Sequence, residues 1–258
     1  MAIALITGAS SGIGEHFAYA LAREQYDLIL VARRDDRLQS VAQEAARRGA
    51  PRADVIVADL TDHTTREQVF NDVSSRHAAL DLLINNAGFG TQGRFANVSV
   101  ERIEREIELN AVAAVALTRL FLPAMLTRGC GQIINVASTS SFQPVPFMAV
   151  YGATKAFLLS FSLALAAETA GTGVKVMALC PGLTRTEFQA VAGSARPWIP
   201  DFAYMEPQAV VAQALRAARR GKAYYVNGRL NAAAAQMVRF MPRSLVNGAI
   251  KWVFREQP

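Results

Sequence analysis

Three residues stand out by type and spacing: Ser138, Tyr151 and Lys155. Tyr151 and Lys155 are four positions apart in a stretch of helical period, so both side chains leave one face of a helix and meet the same ligand. An unperturbed phenol, with a pKa near ~10, is a poor acid–base catalyst at neutral pH, whereas a neighbouring ammonium favours the phenolate and brings it towards working range. Lys155 supplies that charge. Ser138 ends a β-branched run and adds a hydroxyl able to hold a substrate oxygen. Such a trio exchanges a proton with that oxygen. The same three residues in an inert protein are a turn serine, a core aromatic and a surface cation, so their meaning depends on their company.

That company points to a dinucleotide. Thr7-Gly8-Ala9-Ser10-Ser11-Gly12-Ile13-Gly14 lies between the first apolar run and the first helical stretch. Glycines there allow a sharp turn, close approach of backbone to a pyrophosphate and tight packing of helix on strand, while the free N–H groups of the helix start attract the anion. The spacing is Gly-x-x-x-Gly-x-Gly, and a plain strand-to-helix turn is its bland alternative. The second strand ends Val31-Ala32-Arg33-Arg34, with no acid at its tip. A guanidinium matches a phosphate bidentately, so Arg33, with Ser10 and Arg34, predicts NADP(H) in preference to NAD(H). Asp35 and Asp36 are expected to cap the next helix. Asp59, followed by Leu60, is placed to accept from an adenine amine, and Asn86-Ala87-Gly88 to line the adenosine ribose.

Residues so scattered meet only if a sheet gathers them. Short β-branched or aliphatic runs at 3–6, 27–31, 54–57, 80–85, 131–136, 175–179 and 223–226 predict seven strands, hydrophobic throughout as strands buried on both faces are. Stretches of helical period at 12–25, 34–48, 65–77, 100–128, 150–169 and 207–219 fill the gaps. The alternation predicts one doubly wound α/β domain over residues 1–228, with a mostly parallel seven-stranded sheet and helices on both faces. The glycine turn, Arg33, Asp59, Asn86 and Ser138 each follow a strand, where open α/β sheets bind ligands.

Composition removes other classes. Of 258 residues, 52% are hydrophobic and 19% charged, which suits a packed core and not a disordered chain. Two cysteines, Cys130 and Cys180, allow neither a disulfide framework nor a tetrathiolate metal site; no metal is expected. The opening residues carry no secretory pattern, and the longest uncharged span, 129–154, is too polar for a membrane helix, so a cytoplasmic protein without a spanning segment is expected. The net charge of +6 suggests nucleic acid until it is located: residues 229–258 hold five basic side chains against Glu256 alone. The remainder leaves no footprint for a phosphate backbone, and no nucleic-acid partner is expected. Within this 229–258 extension, Met241, Leu245, Val246, Ala249, Ile250, Val253 and Phe254 recur at helical spacing beside Trp252, with Arg243, Lys251 and Arg255 around them. The helix so predicted packs on the domain or a partner subunit, or lies weakly on an anionic membrane surface as a peripheral anchor. Between 183 and 206, Phe188, Trp198, Ile199, Phe202, Tyr204 and Met205 form an apolar segment able to fold over a ligand as a lid; Phe188 and Trp198 are the expected substrate contacts. The alternative is that they only pack the loop or a subunit contact.

Taken together over residues 3–226, these motifs resemble the short-chain dehydrogenase/reductases, and Val-Ala-Arg-Arg and Asn86-Ala-Gly-Phe-Gly are similar to a bacterial-type branch of them. The resemblance implies a Rossmann-like fold, maps Thr7–Gly14 onto the family's cofactor turn, and maps Ser138, Tyr151 and Lys155 onto its catalytic trio. It also implies a fourth catalytic residue, Asn110, at a helix irregularity holding a water that connects the lysine to solvent. Pro181-Gly182-Leu183-Thr184-Arg185-Thr186 looks like the family's Pro-Gly loop, with Thr186 first and Thr184 second as the group fixing the nicotinamide carboxamide. The implied reaction is hydride transfer between nicotinamide and a carbonyl or carbinol carbon, with Lys155 also holding ribose hydroxyls; homodimers or homotetramers are common among such proteins. Two alternatives stay open: a non-catalytic NADP-sensing regulator, which needs no joint presence of the four residues, and a 3-oxoacyl thioester reductase.

Overall fold

The computed structural model describes residues 2–77, 79–193 and 201–254. Seven strands, β1 (Ile3–Thr7), β2 (Asp27–Ala32), β3 (Ala53–Val57), β4 (Leu82–Asn85), β5 (Gly131–Val136), β6 (Val174–Cys180) and β7 (Tyr224–Val226), pair in the order β3-β2-β1-β4-β5-β6-β7. Every pairing is parallel, with Ile6 opposite Leu30 on one side and Ile84 on the other. The chain order reverses between β1 and β4, which opens a crevice beyond their carboxyl ends.

The helices are α1 (Gly12–Arg23), α2 (Asp35–Arg47), α3 (His63–Arg76), α4 (Val100–Ile107), α5 (Ala113–Arg128), α6 (Ala149–Glu168), α7 (Phe188–Ala192), α8 (Pro207–Arg219), α9 (Arg229–Met237) and α10 (Arg243–Phe254). Successive strand residues point to opposite faces. Ala4, Ile6, Leu28, Leu30 and Ile84 therefore pack under α1, α2 and α8, while Leu5, Ile29, Leu83 and Ile133 pack under α3, α5 and α6. Leu83 is fully buried, and Leu83→Ala is expected to cost about 2–5 kcal/mol. The stretches Val100–Arg128 and Ala149–Glu168 are long and apolar enough to cross a membrane, but Leu117, Phe121, Met125 and Leu165 from them fill this second core.

Three local expectations change. Asp35 and Asp36 lie inside the first turn of α2 rather than capping it, favourable there to the helix dipole. Asp62 starts α3 earlier than the apolar period indicates, its carboxylate accepting from Thr65 N at 2.7 Å. The stretch 100–128 is not one regular helix: a π-turn, Glu108–Val112, joins α4 to α5 and turns Asn110 inward, where it is 1% exposed.

The tail is likewise broken. α9 packs on the sheet's end, with Ala235 in a cluster with Ala137, Cys180 and Val226. A short 3₁₀ turn at Val238–Phe240 and Pro242 then separate it from α10, because proline cannot continue the helix. Trp198, Ile199 and Arg255 lie outside the described residues, as do the side chains of Phe202, Arg243, Ala249, Trp252, Val253 and Phe254.

Candidate active site

The glycine turn is braced from β4. Thr7 Oγ1 accepts from Asn86 N and Ala87 N at 3.0 Å each, and Asn86 Nδ2 donates to Thr7 O at 2.9 Å and Gly8 O at 3.1 Å. Gly8 turns at φ +64°, open to glycine at little cost. A Cβ on Gly14 would fall 2.3 Å from Gly8 O, so α1 packs directly on the turn. Gly14, expected among the cofactor contacts, stands behind the turn and not in the cleft wall. Ser11, at the N-cap of α1, makes no capping hydrogen bond, which leaves the first helical N–H groups available to an anion. Asn85 faces the other way, donating to Asn135 Oδ1 at 2.8 Å and Thr118 Oγ1 at 3.0 Å within the core.

A cleft of about 450 Å³ opens at the crevice. Gly8, Ser10, Ser11, Gly12, Ile13, Arg33, Arg34, Asp59, Leu60, Asn86, Ala87, Gly88, Tyr151, Lys155, Pro181, Gly182, Thr184 and Thr186 line it, together with Ser138 and Phe188. At one end Arg34 Nη2 donates to Ser10 Oγ at 3.3 Å and pairs with Glu187 at 2.9 Å; Arg37 stands 3.9 Å from the same carboxylate. The Arg34 hydrogen bond holds Glu187 below the usual carboxylate range. This pair ties the β2 edge to the segment after β6, and the spacing of the sequence contains no sign of it. Asp59 accepts from Thr61 N and Oγ1 and meets Arg105 at 3.2 Å and Arg33 at 3.8 Å. Partial burial pushes its pKa up, but the Thr61 hydrogen bonds and the two guanidinium charges outweigh that and leave it lowered.

The arrangement fits a phosphorylated dinucleotide. Two arginines and Ser10 stand where β2 ends, an uncapped helix N-terminus lies at the centre, and the Pro-Gly loop covers the far end. Thr186 leans over the turn, its Cγ2 within 3.0 Å of where a Gly12 Cβ would sit, while its Oγ1 accepts from Phe188 N at 3.2 Å; Thr184 Oγ1 donates to Gly182 O at 3.0 Å.

At that far end Ser138, which follows β5, lies in the same cleft wall as Tyr151, close enough to favour the ionised phenol, and accepts from Ser140 N at 3.0 Å. Lys155, one turn beyond Tyr151 on α6, is 4% exposed; its Nζ donates to Val136 O at 2.7 Å and lies 5.8 Å from the Tyr151 ring centroid. The expected lowering of the tyrosine does not occur in the polypeptide alone. Burial pushes Tyr151 up to about 12 against the Ser138 hydrogen bond, with the Glu106 carboxylate adding to the rise. Burial also pulls Lys155 down to about 8, because an ammonium is disfavoured away from water. Asn110 Nδ2 donates to Phe89 O at 2.8 Å and Thr154 Oγ1 at 3.2 Å, and its Oδ1 accepts from Phe89 N at 3.0 Å. These bonds lock the side chain beside Gly88, whose Cβ would fall 3.4 Å from Lys155 Nζ.

Among the described residues, the expected lid side chains Phe188, Tyr204 and Met205 do not pack as one group. Phe188 packs on Tyr151 with ring centroids 5.1 Å apart. Tyr204 instead accepts from Gln189 and lies under Arg185, and Met205 is bridged to Thr184 and packs into the sheet core. Sequence reasoning missed Val145, Met148, Ala192 and Ile250, which with Tyr151 and Phe188 form the apolar wall of the substrate side. The apolar run 144–148 was the available signal. Phe147 sits at φ +65°, rare for an aromatic residue, and its carbonyl accepts from Gly93 N at 2.8 Å. Glu106 was also missed: it is fully buried on α4, burial raises its pKa, and it borders a second, largely apolar cavity of about 370 Å³.

Comparison with known proteins agrees with this geometry. Residues 2–197 match the model of the short chain dehydrogenase family. The chain is 38% identical over 178 residues to the ketoacyl reductase HetN of Nostoc sp.; the match takes in 69% of this chain and 62% of HetN, so less than two thirds of that relative. A short-chain dehydrogenase from Sphingobium yanoikuyae in complex with NADPH superposes with a TM-score of 0.85 at 33% identity, covering 100% of this chain and 98% of the other. The bulky-bulky ketone specific alcohol dehydrogenase of Comamonas testosteroni gives 0.79 at 29% identity, covering 100% and 97%.

Proposed function

The chain belongs to the short-chain dehydrogenase family, and from that premise we propose that it is an NADP(H)-dependent oxidoreductase interconverting a ketone or aldehyde and an alcohol, on an apolar substrate. The observation that carries the reading is the buried Tyr151 phenol facing the same cleft as Ser138, one helical turn from a buried Lys155, with the glycine turn and Arg33 and Arg34 in that cleft's wall. A bound NADP(H) supplies or accepts the hydride. In reduction Tyr151 delivers its proton to the substrate oxygen while the Ser138 hydroxyl donates a hydrogen bond to that oxygen, stabilising the charge that develops on it. Lys155, already inside the wall, offsets the negative charge left on the phenolate and holds ribose hydroxyls; Asn110 keeps the π-turn open beside it. Arg33 and Arg34, with Ser10, receive the 2′-phosphate, and Thr186, with Thr184, fixes the carboxamide. The wall of Phe188, Met148 and Val145 excludes water and favours an apolar group.

The HetN likeness favours a second reading, a 3-oxoacyl thioester as the carbonyl compound. A non-catalytic NADP sensor is disfavoured by the assembled acid–base groups. As partners we propose the small-molecule carbonyl or alcohol and a second copy of the chain in a homodimer or homotetramer. We further propose a cytoplasmic location with weak attachment to a membrane surface. NADPH consumption against a panel of ketones, aldehydes and 3-oxoacyl thioesters, with NADH in parallel, tests the reading. Turnover that prefers NADPH supports it; a panel without turnover, or turnover unchanged in Tyr151→Phe, overturns it.

A further inference from the structure

Among the described residues, α9, the turn after it and the start of α10 expose large apolar side chains with no partner. Leu230 and Met237 lie two turns apart on α9, 78% and 60% exposed. Phe240 and Met241, at 88% and 43%, follow in the turn, and Leu245, at 61%, opens α10. Five large apolar side chains in so short a stretch exceed the scattered exposure normal for a surface. At its described inner positions α10 packs inward: Val246 is 5% exposed, and Ile250 packs against Val145, Met148 and Ala192, the cluster that also holds Tyr151 and Phe188. α10 thus contributes Ile250 to the wall of the substrate side and Leu245 to an exposed apolar ridge whose other members come from α9 and the turn.

Charge selects the occupant of that ridge. Arg229, Arg239, Arg243, Lys251 and Arg255 stand in the same segment against Glu256 alone. A second copy docking through a two-fold contact would bring identical basic segments face to face, and like charges oppose such a contact. A lipid surface has no such conflict, because apolar side chains enter the acyl boundary while basic ones meet anionic headgroups. We propose that α9 and α10 dock the protein on an anionic phospholipid bilayer, seating the substrate side of the cleft at the membrane interface. This deepens the proposed function, resting on its reading of the apolar wall as the substrate side: the substrate class becomes carbonyl compounds or alcohols dissolved in lipid.

The test is flotation of the full chain with vesicles of phosphatidylcholine alone and of phosphatidylcholine with phosphatidylglycerol. We expect about tenfold more floated protein with the anionic vesicles, falling as salt rises. The double substitution Phe240→Asp, Leu245→Asp, at exposed positions, returns the protein to the soluble fraction with its melting temperature unchanged. Wild-type protein left in the soluble fraction with anionic vesicles overturns the proposal, as does a double variant that still floats. A wild-type dimer that fails to float and falls apart in the double variant also overturns it, assigning the ridge to a second copy. Flotation needs neither dinucleotide nor substrate, so a failed turnover assay leaves this result standing.

Discussion

The two ends of the cleft are built differently. The dinucleotide end consists of strand tips and short turns braced by partly buried hydrogen bonds, Thr7 and Asn86 clamping β1 to β4, with charged groups paired at the rim. The substrate end is assembled from the loop after β5, the segment after β6 and a helix from the far end of the chain, and is held by apolar contacts. The first end offers directional groups suited to a phosphate and a sugar. The second offers shape, which many side chains provide interchangeably. Tyr151 lies where they meet.

The largest effect separates chemistry from both ends. Tyr151→Phe is expected to lower kcat by about 10²–10⁴ while leaving the NADPH dissociation constant unchanged, read by turnover and by fluorescence titration. Retained turnover would move the proton donor elsewhere. At the dinucleotide end, Arg33→Ala with Arg34→Ala is expected to weaken NADPH about tenfold or more and NADH hardly at all. Equal weakening of both would mean that the arginines do not read the 2′-phosphate. At the substrate end, Phe188→Ala is expected to change the ratio of kcat/KM between a bulky and a small ketone about tenfold, with NADPH affinity unchanged. A shift in NADPH affinity alone would join the two ends rather than divide them. Glu187→Gln frees Arg34 from its carboxylate partner and should tighten NADPH, but not NADH, about threefold. The smallest effect is on stability at high pH. Tyr151 is held at about 12 when folded, above the ~10 of an unfolded phenol, so its contribution is intact below that lower value and lost as pH rises between the two. Tyr151→Phe therefore makes the alkaline loss of stability shallower in denaturant titrations, and an unchanged slope would place the phenol in water.

How much of this could be read in advance follows the same division. The strands, the all-round apolar packing and the glycine turn are carried by local pattern, because period and turn chemistry are properties of adjacent residues. Arg33 could be singled out because a strand tip fixes where its side chain starts. The packing role of Gly14 was hidden because a packing glycine and a ligand-facing glycine look alike until α1 is laid on the turn. The raised Tyr151 was also beyond reach: a nearby lysine can be inferred from spacing, but the burial that raises the phenol and lowers the lysine is a property of the whole wall.

By itself, then, the sequence determined the sheet, its covering helices and which polar residues its strand ends and α6 bring to one cleft, since each depends on spacing within one element or on a motif at a strand end. Tertiary structure alone decided that Glu187 reaches Arg34, that Ile250 reaches the wall of the substrate side, and that Tyr204 and Met205 turn away from it. The reason is physical. Contacts between segments far apart in the chain are selected by packing of the whole fold, and an apolar side chain carries no local mark of which neighbour it will meet.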